Sequence, residues 1–233
     1  MNTSKEKGSR RRMGTPVKVT IVTAAVLIVA VLAAIIYAAA TRPAPISPND
    51  STGEGGALSV TRENSHVLDS VGEDAPTLVE FLDFECEACG AFYPVVEQIR
   101  EAYDGKINYV IRYFPIPNHF NSMNAAIAVE AASQQGRVEE MYNKLFQTQT
   151  EWGEQQVSAA DLFRGFAEEL GLDMSQYDAA VADPATQARV EFDFNEGRAL
   201  GVNSTPTFFL DGEKLELTQL SDLTDALDRA IAG

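Results

Sequence analysis

The chain has 233 residues, and its 34 acidic and 18 basic side chains give a net charge of −16 at neutral pH. Residues 1–45 hold seven of the basic residues and one Glu, which leaves 11 basic and 33 acidic side chains, a net charge of −22, for the remainder. Binding to phosphate needs the opposite charge, so nucleic acid is excluded as a partner. The acidic surface is expected to keep the domain soluble.

The N-terminal segment is predicted to anchor the chain in a membrane. Residues 1–18 are basic, and residues 19–40 form a run of 22 residues without a charge. A helix of that length measures about 33 Å, which is enough to cross a hydrocarbon core of about 30 Å. Basic flanks stay in the cytoplasm, so residues 1–18 are predicted to be a cytoplasmic tail and the catalytic part to lie outside.

Cleavage by a signal peptidase near Ala40 is the alternative to a retained anchor, because Ala38 and Ala39 are small residues of the kind that such sites use. The protein would then be secreted. The apolar run exceeds the roughly 7 to 15 residues of a signal peptide, which favours the anchor. Both alternatives place the rest of the chain in an oxidising space, where disulfides persist.

Residues 41–56 are predicted to be a flexible linker, because Pro and Gly make up six of the sixteen positions. Such a linker spans about 20 Å on average and at most about 55 Å, so the domain that follows should stay close to the membrane. Residues 57–233 have a length that suits a single domain with a substantial core.

The only two cysteines of the chain, Cys86 and Cys89, form a CxxC motif between a predicted strand and a predicted helix. Residues 77–84 are apolar and predict the strand, and apolar residues at helical spacing from Phe92 to Tyr103 predict the helix. Cys89 therefore falls in the first turn, where unpaired N–H groups and the helix dipole favour a thiolate. Cys86 is the expected nucleophile, and Cys89 is expected to resolve a mixed disulfide on Cys86.

A structural disulfide and a metal site are the alternatives for these cysteines. A disulfide across so short a loop removes little entropy from the unfolded chain. Zinc needs a tetrahedral set of ligands, whereas the motif supplies two and the only histidines are His66 and His119. We therefore expect no metal and no other cofactor, and we interpret His119 as a capping or packing residue.

The next segments alternate a strand with helices. Residues 106–114 predict a second strand, which should pair in parallel with the first because a helix connects the two. Helical spacing then predicts a block of several helices. Within this block, Gly171 is expected to follow the end of one helix, and Asp183 is expected to cap another.

The last predicted elements are a hairpin and a helix. Residues 207–210 and 214–217 read as two short strands, and Asp211-Gly212 between them is a strong hairpin turn signal. Ser221 is expected to cap a final helix that presents an apolar face to the core.

Three local patterns resemble the DsbA-like branch of the thioredoxin superfamily. They are the Val-Glu-Phe run at 79–81 ahead of the CxxC motif, the segment from Phe114 to Gly136, and the segment from Gly201 to Phe208 with Thr205-Pro206. The resemblance covers about residues 58–233. It implies an α/β fold with a thioredoxin-like core, into which a helical domain is inserted at about residues 118–200.

The resemblance also implies roles for three further residues. Pro206 is implied to follow a cis peptide bond beside Cys86, so that the backbone of Thr205 can bind an extended client segment as an added strand. Glu80 is implied to be a buried acid with a raised pKa that relays protons for Cys89. On the residues alone, a trans proline and a surface-facing glutamate are the ordinary alternatives.

The dipeptide between the cysteines departs from the family. The strongly oxidising members carry Pro-His there, whereas this chain has Glu87-Ala88, with Glu85 just before the motif. Nearby carboxylates disfavour a thiolate, and a less stable thiolate makes a weaker oxidant. We therefore predict a milder oxidant than the Pro-His members.

The sequence thus predicts an extracytoplasmic thiol:disulfide oxidoreductase that exchanges a Cys86–Cys89 disulfide with exported, cysteine-containing client proteins, as an oxidant. A quinone-linked membrane enzyme is the expected partner that restores the disulfide. The same residues suit an envelope reductase or isomerase, supplied by a thiol donor, that matures cytochromes or metal-site thiols. A non-catalytic thioredoxin-fold binding module is the remaining alternative, and the intact motif together with Thr205-Pro206 argues against it.

Overall fold

The computed structural model describes residues 59–232. The predicted cytoplasmic tail (1–18), membrane anchor (19–40) and linker (41–56) lie outside these residues, as do the first residues of the predicted domain at 57–233. Within residues 59–232, no helix combines the length and the apolar character that crossing a membrane requires.

A mixed sheet of five strands organises the described part of the chain. The strands are β1 (His66–Asp69), β2 (Thr77–Leu82), β3 (Asn108–Tyr113), β4 (Thr207–Leu210) and β5 (Glu213–Lys214), in the spatial order β1-β3-β2-β4-β5. Strands β2 and β3 run parallel and are joined through helix α1 (Glu87–Ala102), as predicted, and the other neighbours pair antiparallel.

Most of the helices lie between β3 and β4. They are α2 (Ser122–Ser133), α3 (Val138–Trp152), α4 (Ala160–Glu169), α5 (Met174–Ala182) and α6 (Pro184–Ala199), and α7 (Leu220–Ala232) follows the last strand. Asp183 caps α6 as predicted, since its side chain accepts a hydrogen bond from the Ala185 N–H, and Gly171 has a positive φ of 74° after α4. The predicted α/β class is confirmed, and the five helices between β3 and β4 form the helical segment that is inserted into the core.

Strand β2 is buried on both faces, which explains its nearly continuous apolar sequence. Leu78 and Leu82 contribute to the larger hydrophobic cluster, and Val79 and Phe81 to a second cluster beneath the opposite face. Side chains alternate along a strand, so Glu80 shares the face of Leu78 and Leu82. Its carboxyl group therefore enters the larger cluster rather than the solvent.

Strand β1 is absent from the sequence-based prediction. It has four residues, lies at the edge of the sheet, and leaves the Val67 side chain 51% exposed. An edge strand with an exposed apolar residue lacks the alternation by which a strand is recognised. Its position depends on pairing with β3, which no local pattern encodes.

The hairpin turn is where the sequence predicts it, but its second strand is shorter. Asp211 and Gly212 both have positive φ, at 49° and 87°, as this kind of tight hairpin turn requires. Strand β5 covers Glu213–Lys214 instead of 214–217. The Leu215 N–H still donates to the Phe208 carbonyl at 2.9 Å, and the chain then leaves the sheet.

The predicted cap of the last helix is wrong. Helix α7 begins at Leu220, so Ser221 lies inside its first turn. The Asp222 carboxylate performs the capping function, because it accepts hydrogen bonds from the N–H groups of Thr218 at 2.7 Å and Gln219 at 2.9 Å.

Candidate active site

The CxxC motif lies where β2 leads into α1. Helix α1 begins at Glu87, and Cys86 is its N-cap residue, with extended φ and ψ of −65° and 120°. Cys89 lies in the first turn, as predicted. Both cysteines are free thiols, and Cys86 is 8% exposed whereas Cys89 is 1% exposed. Cys86 is therefore the more accessible sulfur of the pair.

The pKa of the Cys86 thiol is lowered to about 5. The largest cause is a hydrogen bond from the Cys89 thiol, and the backbone N–H groups of Ala88 and Cys89 add to it, against the opposing effect of burial. An N-cap side chain accepts hydrogen bonds from these same N–H groups. The Cys86 thiolate thus occupies the position that a Ser or Asp oxygen takes at many other helices.

The pKa of Cys89 shifts in the opposite direction, well above its ordinary value. Burial is the largest cause, followed by the hydrogen bond to Cys86 and the charge of Glu80. At neutral pH the pair therefore consists of a thiolate at Cys86 and a neutral thiol at Cys89. This split suits the predicted roles of nucleophile and resolving cysteine.

Glu80 is 2% exposed and lies close enough to the pair for its charge to act on Cys89. Burial raises the pKa of Glu80 to about 7, and a hydrogen bond from the Tyr109 hydroxyl opposes that rise. Burial and a raised pKa are what the resemblance implies for this residue. Such a carboxyl group can accept or release a proton near neutral pH, and its role as a relay stays a prediction.

The peptide bond between Thr205 and Pro206 is cis, as the resemblance implies, and Thr205 contacts Cys86. The Thr205 carbonyl oxygen accepts a hydrogen bond from the Cys86 thiol at 3.5 Å. The Thr205 hydroxyl favours the Cys86 thiolate and so lowers the pKa of Cys86. With both cysteines protonated, this buried hydroxyl has no hydrogen-bond partner among residues 59–232. A negatively charged sulfur at Cys86 is the acceptor that would satisfy it.

The two carboxylates that flank Cys86 in the sequence lie in different environments. Glu85 is buried, and its carboxylate accepts hydrogen bonds from the N–H groups of Asn121 at 2.5 Å and Glu154 at 3.1 Å. Glu87 is exposed, where water and salt screen its charge. The pKa of Cys86 is lowered to about 5 with both carboxylates in place, and the largest effects on it come from other groups.

Asp83 and His119 form a pair beside the motif that the sequence analysis missed. Asp83 is 1% exposed and accepts hydrogen bonds from His119 Nδ1 at 2.6 Å and the Ser122 hydroxyl at 2.7 Å. The bond to Asp83 raises the pKa of His119, and the charge of Cys86 adds to the rise. His119 is therefore hydrogen-bonded to a buried carboxylate next to the motif. A charged residue directly after an apolar strand, as at Asp83, is the signal that could have revealed the pair.

Comparison with known proteins gives one family and one set of relatives. A family model described as Thioredoxin matches residues 71–229. The chain is 35% identical over 175 residues, 72% of its length, to a protein of Mycobacterium sp. (strain KMS) that carries the name Na(+)/H(+) antiporter NhaA 1. It spans 27% of that relative's length, so the similarity concerns about a quarter of the larger protein.

Solved structures share the fold. A thioredoxin-like oxidoreductase from Silicibacter pomeroyi DSS-3 superposes with a TM-score of 0.62 and 28% identity, over 77% of this chain and 99% of that protein. The α-DsbA1 protein of Wolbachia pipientis superposes with a TM-score of 0.64 and 20% identity, over 74% of this chain and 93% of that one. The fold around the motif is therefore the one that these two structures have.

Proposed function

Because the chain belongs to the thioredoxin family, we propose that it is a thiol:disulfide oxidoreductase that exchanges a Cys86–Cys89 disulfide with client proteins. The observation that carries the proposal is the split between the two thiols, since the pKa is about 5 at Cys86 and well above its ordinary value at Cys89. Only a thiolate attacks or leaves a disulfide readily. Cys86 is therefore a reactive thiolate at neutral pH, whereas Cys89 stays a neutral thiol until it loses its proton.

Oxidation of a client takes two exchange steps. A client thiolate attacks Cys86 Sγ of the disulfide, so that the bond to Cys89 breaks and a mixed disulfide forms on Cys86. A second client thiolate then attacks the client sulfur of the mixed disulfide. The client disulfide forms, Cys86 leaves as a thiolate, and the pair has taken up the two electrons that the client loses.

The protons of this reaction have defined destinations. The Cys89 thiolate released in the first step is strongly basic in its buried site, so it takes up one proton. Glu80, with a pKa of about 7, is the group beside it that holds a proton at neutral pH and can supply it. The second proton goes to solvent, because Cys86 stays a thiolate at neutral pH.

The low pKa of Cys86 favours oxidation of the client over its reduction. Stabilising the thiolate stabilises the reduced pair, and a pair whose reduced form is stable is a stronger oxidant. A thiolate of low pKa is also the better leaving group from the mixed disulfide. Both effects drive the transfer of the disulfide from Cys86 and Cys89 to the client.

The backbone beside Cys86 is the proposed client-binding site. The carbonyl of Thr205 lies next to the Cys86 sulfur, and Pro206 has no N–H with which to compete for the carbonyl groups of a client. An extended client segment can pair with the backbone at Thr205 as an added strand, which binds many sequences alike.

We place this activity outside the cytoplasm. The run of 22 uncharged residues at 19–40 and its basic flank support a single membrane anchor with residues 1–18 in the cytoplasm and residues 57–233 outside. The clients are then exported proteins with cysteines. A quinone-linked enzyme in the same membrane would accept the two electrons of the reduced pair and restore the disulfide.

Reduction or isomerisation of client disulfides is the second candidate function, because Glu80 can serve the proton transfer in that direction as well. In that direction Cys89 must lose its proton before it attacks the mixed disulfide, although burial raises its pKa well above the ordinary value. A buried carboxylate with a pKa of about 7 provides the acceptor for that proton. A thiol donor at the membrane would then keep the pair reduced.

Trapping of clients in the native host tests the proposed function. In a Cys89→Ala variant of the full chain, the Cys86 thiolate can attack a client disulfide but no Cys89 thiol is present to displace the client again, so mixed disulfides should accumulate on Cys86 and be released by reductant. Several exported, cysteine-containing proteins should be captured, and the Cys86→Ala/Cys89→Ala variant should capture none. A single stable partner, or no covalent complex at all, would indicate a binding module instead.

A further inference from the structure

Gln149 reaches from the helical segment to the loop that carries the redox motif. It lies near the end of α3, is 9% exposed, and sits 63 residues from Cys86 along the chain. Its side-chain amide nitrogen donates hydrogen bonds to the carbonyl oxygens of Phe84 and Cys86, each at 2.8 Å. A primary amide has two N–H groups, so these two bonds use its entire donor capacity.

Gly90 makes room for this amide. A Cβ atom at position 90 would lie 1.9 Å from Oε1 of Gln149, 2.7 Å from its Cδ and 3.0 Å from its Nε2, and these are the three nearest atoms. Any side chain at this position would displace the Gln149 amide from its two carbonyl partners. A glycine four residues after Cys86 and a glutamine on another helix are therefore one structural unit.

We propose that Gln149, with the space left by Gly90, is a positioning residue that holds Cys86 in the geometry in which its thiolate is stabilised. The inference rests on the proposed function, because it concerns the reactive sulfur of the exchange reaction. The hydrogen bonds of Gln149 go to carbonyl groups, so it acts through the backbone of Phe84 and Cys86.

The physical basis is the fixed orientation of the peptide groups on both sides of the nucleophile. The Cys86 carbonyl accepts hydrogen bonds from the Gly90 N–H at 3.0 Å and from Gln149, and its own N–H donates to the Asp83 carbonyl at 3.1 Å. These bonds fix the backbone at the start of α1, where the N–H groups of Ala88 and Cys89 favour the Cys86 thiolate. Without Gln149, the Phe84 carbonyl loses this donor and the Cys86 carbonyl keeps the Gly90 N–H alone, so the backbone around Cys86 is held less firmly.

The test measures the ionisation of Cys86 in the reduced full chain. Thiolate absorbance is followed against pH, and the rate at which iodoacetamide modifies Cys86 is measured near pH 4.5 with the site assigned by mass spectrometry. In Gln149→Ala we expect the titration of Cys86 to move to higher pH and the rate to fall about threefold or more, because the thiolate fraction is lower. Gln147→Ala, an exposed position on the same helix, should change neither.

A double-variant comparison separates positioning from general damage to the fold. Gly90→Ala should move the Cys86 titration in the same direction as Gln149→Ala, although alanine favours helix more than glycine does. In Gly90→Ala/Gln149→Ala the nearest obstacle to the new methyl group is gone, so the double variant should resemble Gln149→Ala alone. The proposal would be overturned if the shifts of Gly90→Ala and Gln149→Ala add up in the double variant, or if the Cys86 titration is unchanged in Gln149→Ala.

Two provisions keep the result interpretable. If Gln149→Ala does not fold, Gln149→Met keeps about the same side-chain size and removes the donors without adding a charge, and the proposal requires the same upward shift of the Cys86 titration. A wild-type chain that fails to exchange disulfides with clients would contradict the proposed function alone, because the titration of Cys86 reports on Gln149 whether or not a client reacts.

Discussion

Tyr109 donates a hydrogen bond from its hydroxyl group to the carboxyl group of Glu80 in the core beneath the redox pair. Tyr109 in β3 is the register partner of Leu78 in β2, two residues before Glu80, so both side chains emerge on the same face of the sheet. Tyr109 is 0% and Glu80 is 2% exposed. The hydroxyl group favours the ionised carboxylate, against the effect of burial.

Removing that hydroxyl should make Glu80 a weaker acid. In Tyr109→Phe, burial of Glu80 remains and the hydrogen bond that lowers its pKa is lost, so its pKa should rise above the value of about 7. The carboxyl stretching band in infrared difference spectra against pH measures this ionisation directly. Tyr103→Phe is the matched control, since Tyr103 bonds to Asp228 and not to Glu80. An unchanged Glu80 titration in Tyr109→Phe would show that the hydroxyl does not tune the acid.

Glu80→Gln should stabilise the folded protein above pH 7 and not at low pH. Folding raises the pKa of Glu80 from 4.5 to about 7, so ionising this group in the folded state costs about 3 kcal/mol. The cost is absent below pH 4.5, grows as pH rises toward 7, and is complete above that value. Denaturant unfolding of both proteins across this range measures the difference, and a gain in stability that does not depend on pH would contradict the account.

The strand and helix that carry the motif could be predicted because their patterns are local. The apolar residues of β2 alternate into two buried clusters, and those of α1 recur at helical spacing, so the sequence places Cys86 at a helix N-terminus without any tertiary information. The same alternation puts Glu80 on the face of Leu78 and Leu82.

The partners of these residues could not be predicted, because they depend on how distant segments meet. Tyr109 contacts Glu80 only through the register of β2 with β3, and Gln149 reaches Cys86 only through the packing of α3 against the motif. The partners of Glu85 have the same origin. The sequence shows that Glu85 precedes Cys86, whereas the hydrogen bonds that its carboxylate accepts from the N–H groups of Asn121 and Glu154 depend on the tertiary fold.

Asp83→Asn should lower the pKa of His119. The hydrogen bond and the charge of Asp83 both raise the pKa of His119, and an asparagine in its place keeps the shape and removes the charge. NMR titration can follow both histidines of the chain, His66 and His119. His66 bonds to Glu130 and serves as the internal control. If both histidines titrate as in the wild type, Asp83 does not set the charge of His119.

The reduction potential should be less oxidising than that of DsbA. The pKa of Cys86 is about 5, compared with about 3.5 for the nucleophilic cysteine of DsbA, so the reduced form gains less from its thiolate. Equilibrium titration against glutathione measures the potential. We expect a value below the roughly −120 mV of DsbA, and a value at or above that figure would contradict the expectation.

The measurement that tests the central claim most directly is disulfide transfer from the oxidised full chain to a reduced, unfolded secretory protein. Free thiols of the client are counted by mass spectrometry after quenching with acid and alkylating agent. The wild-type chain should oxidise the client stoichiometrically while Cys86 and Cys89 become reduced, and Cys86→Ala should transfer nothing. A client that stays reduced, or one that Cys86→Ala oxidises as fast as the wild type, would contradict the assignment of Cys86 as the sulfur that exchanges with clients.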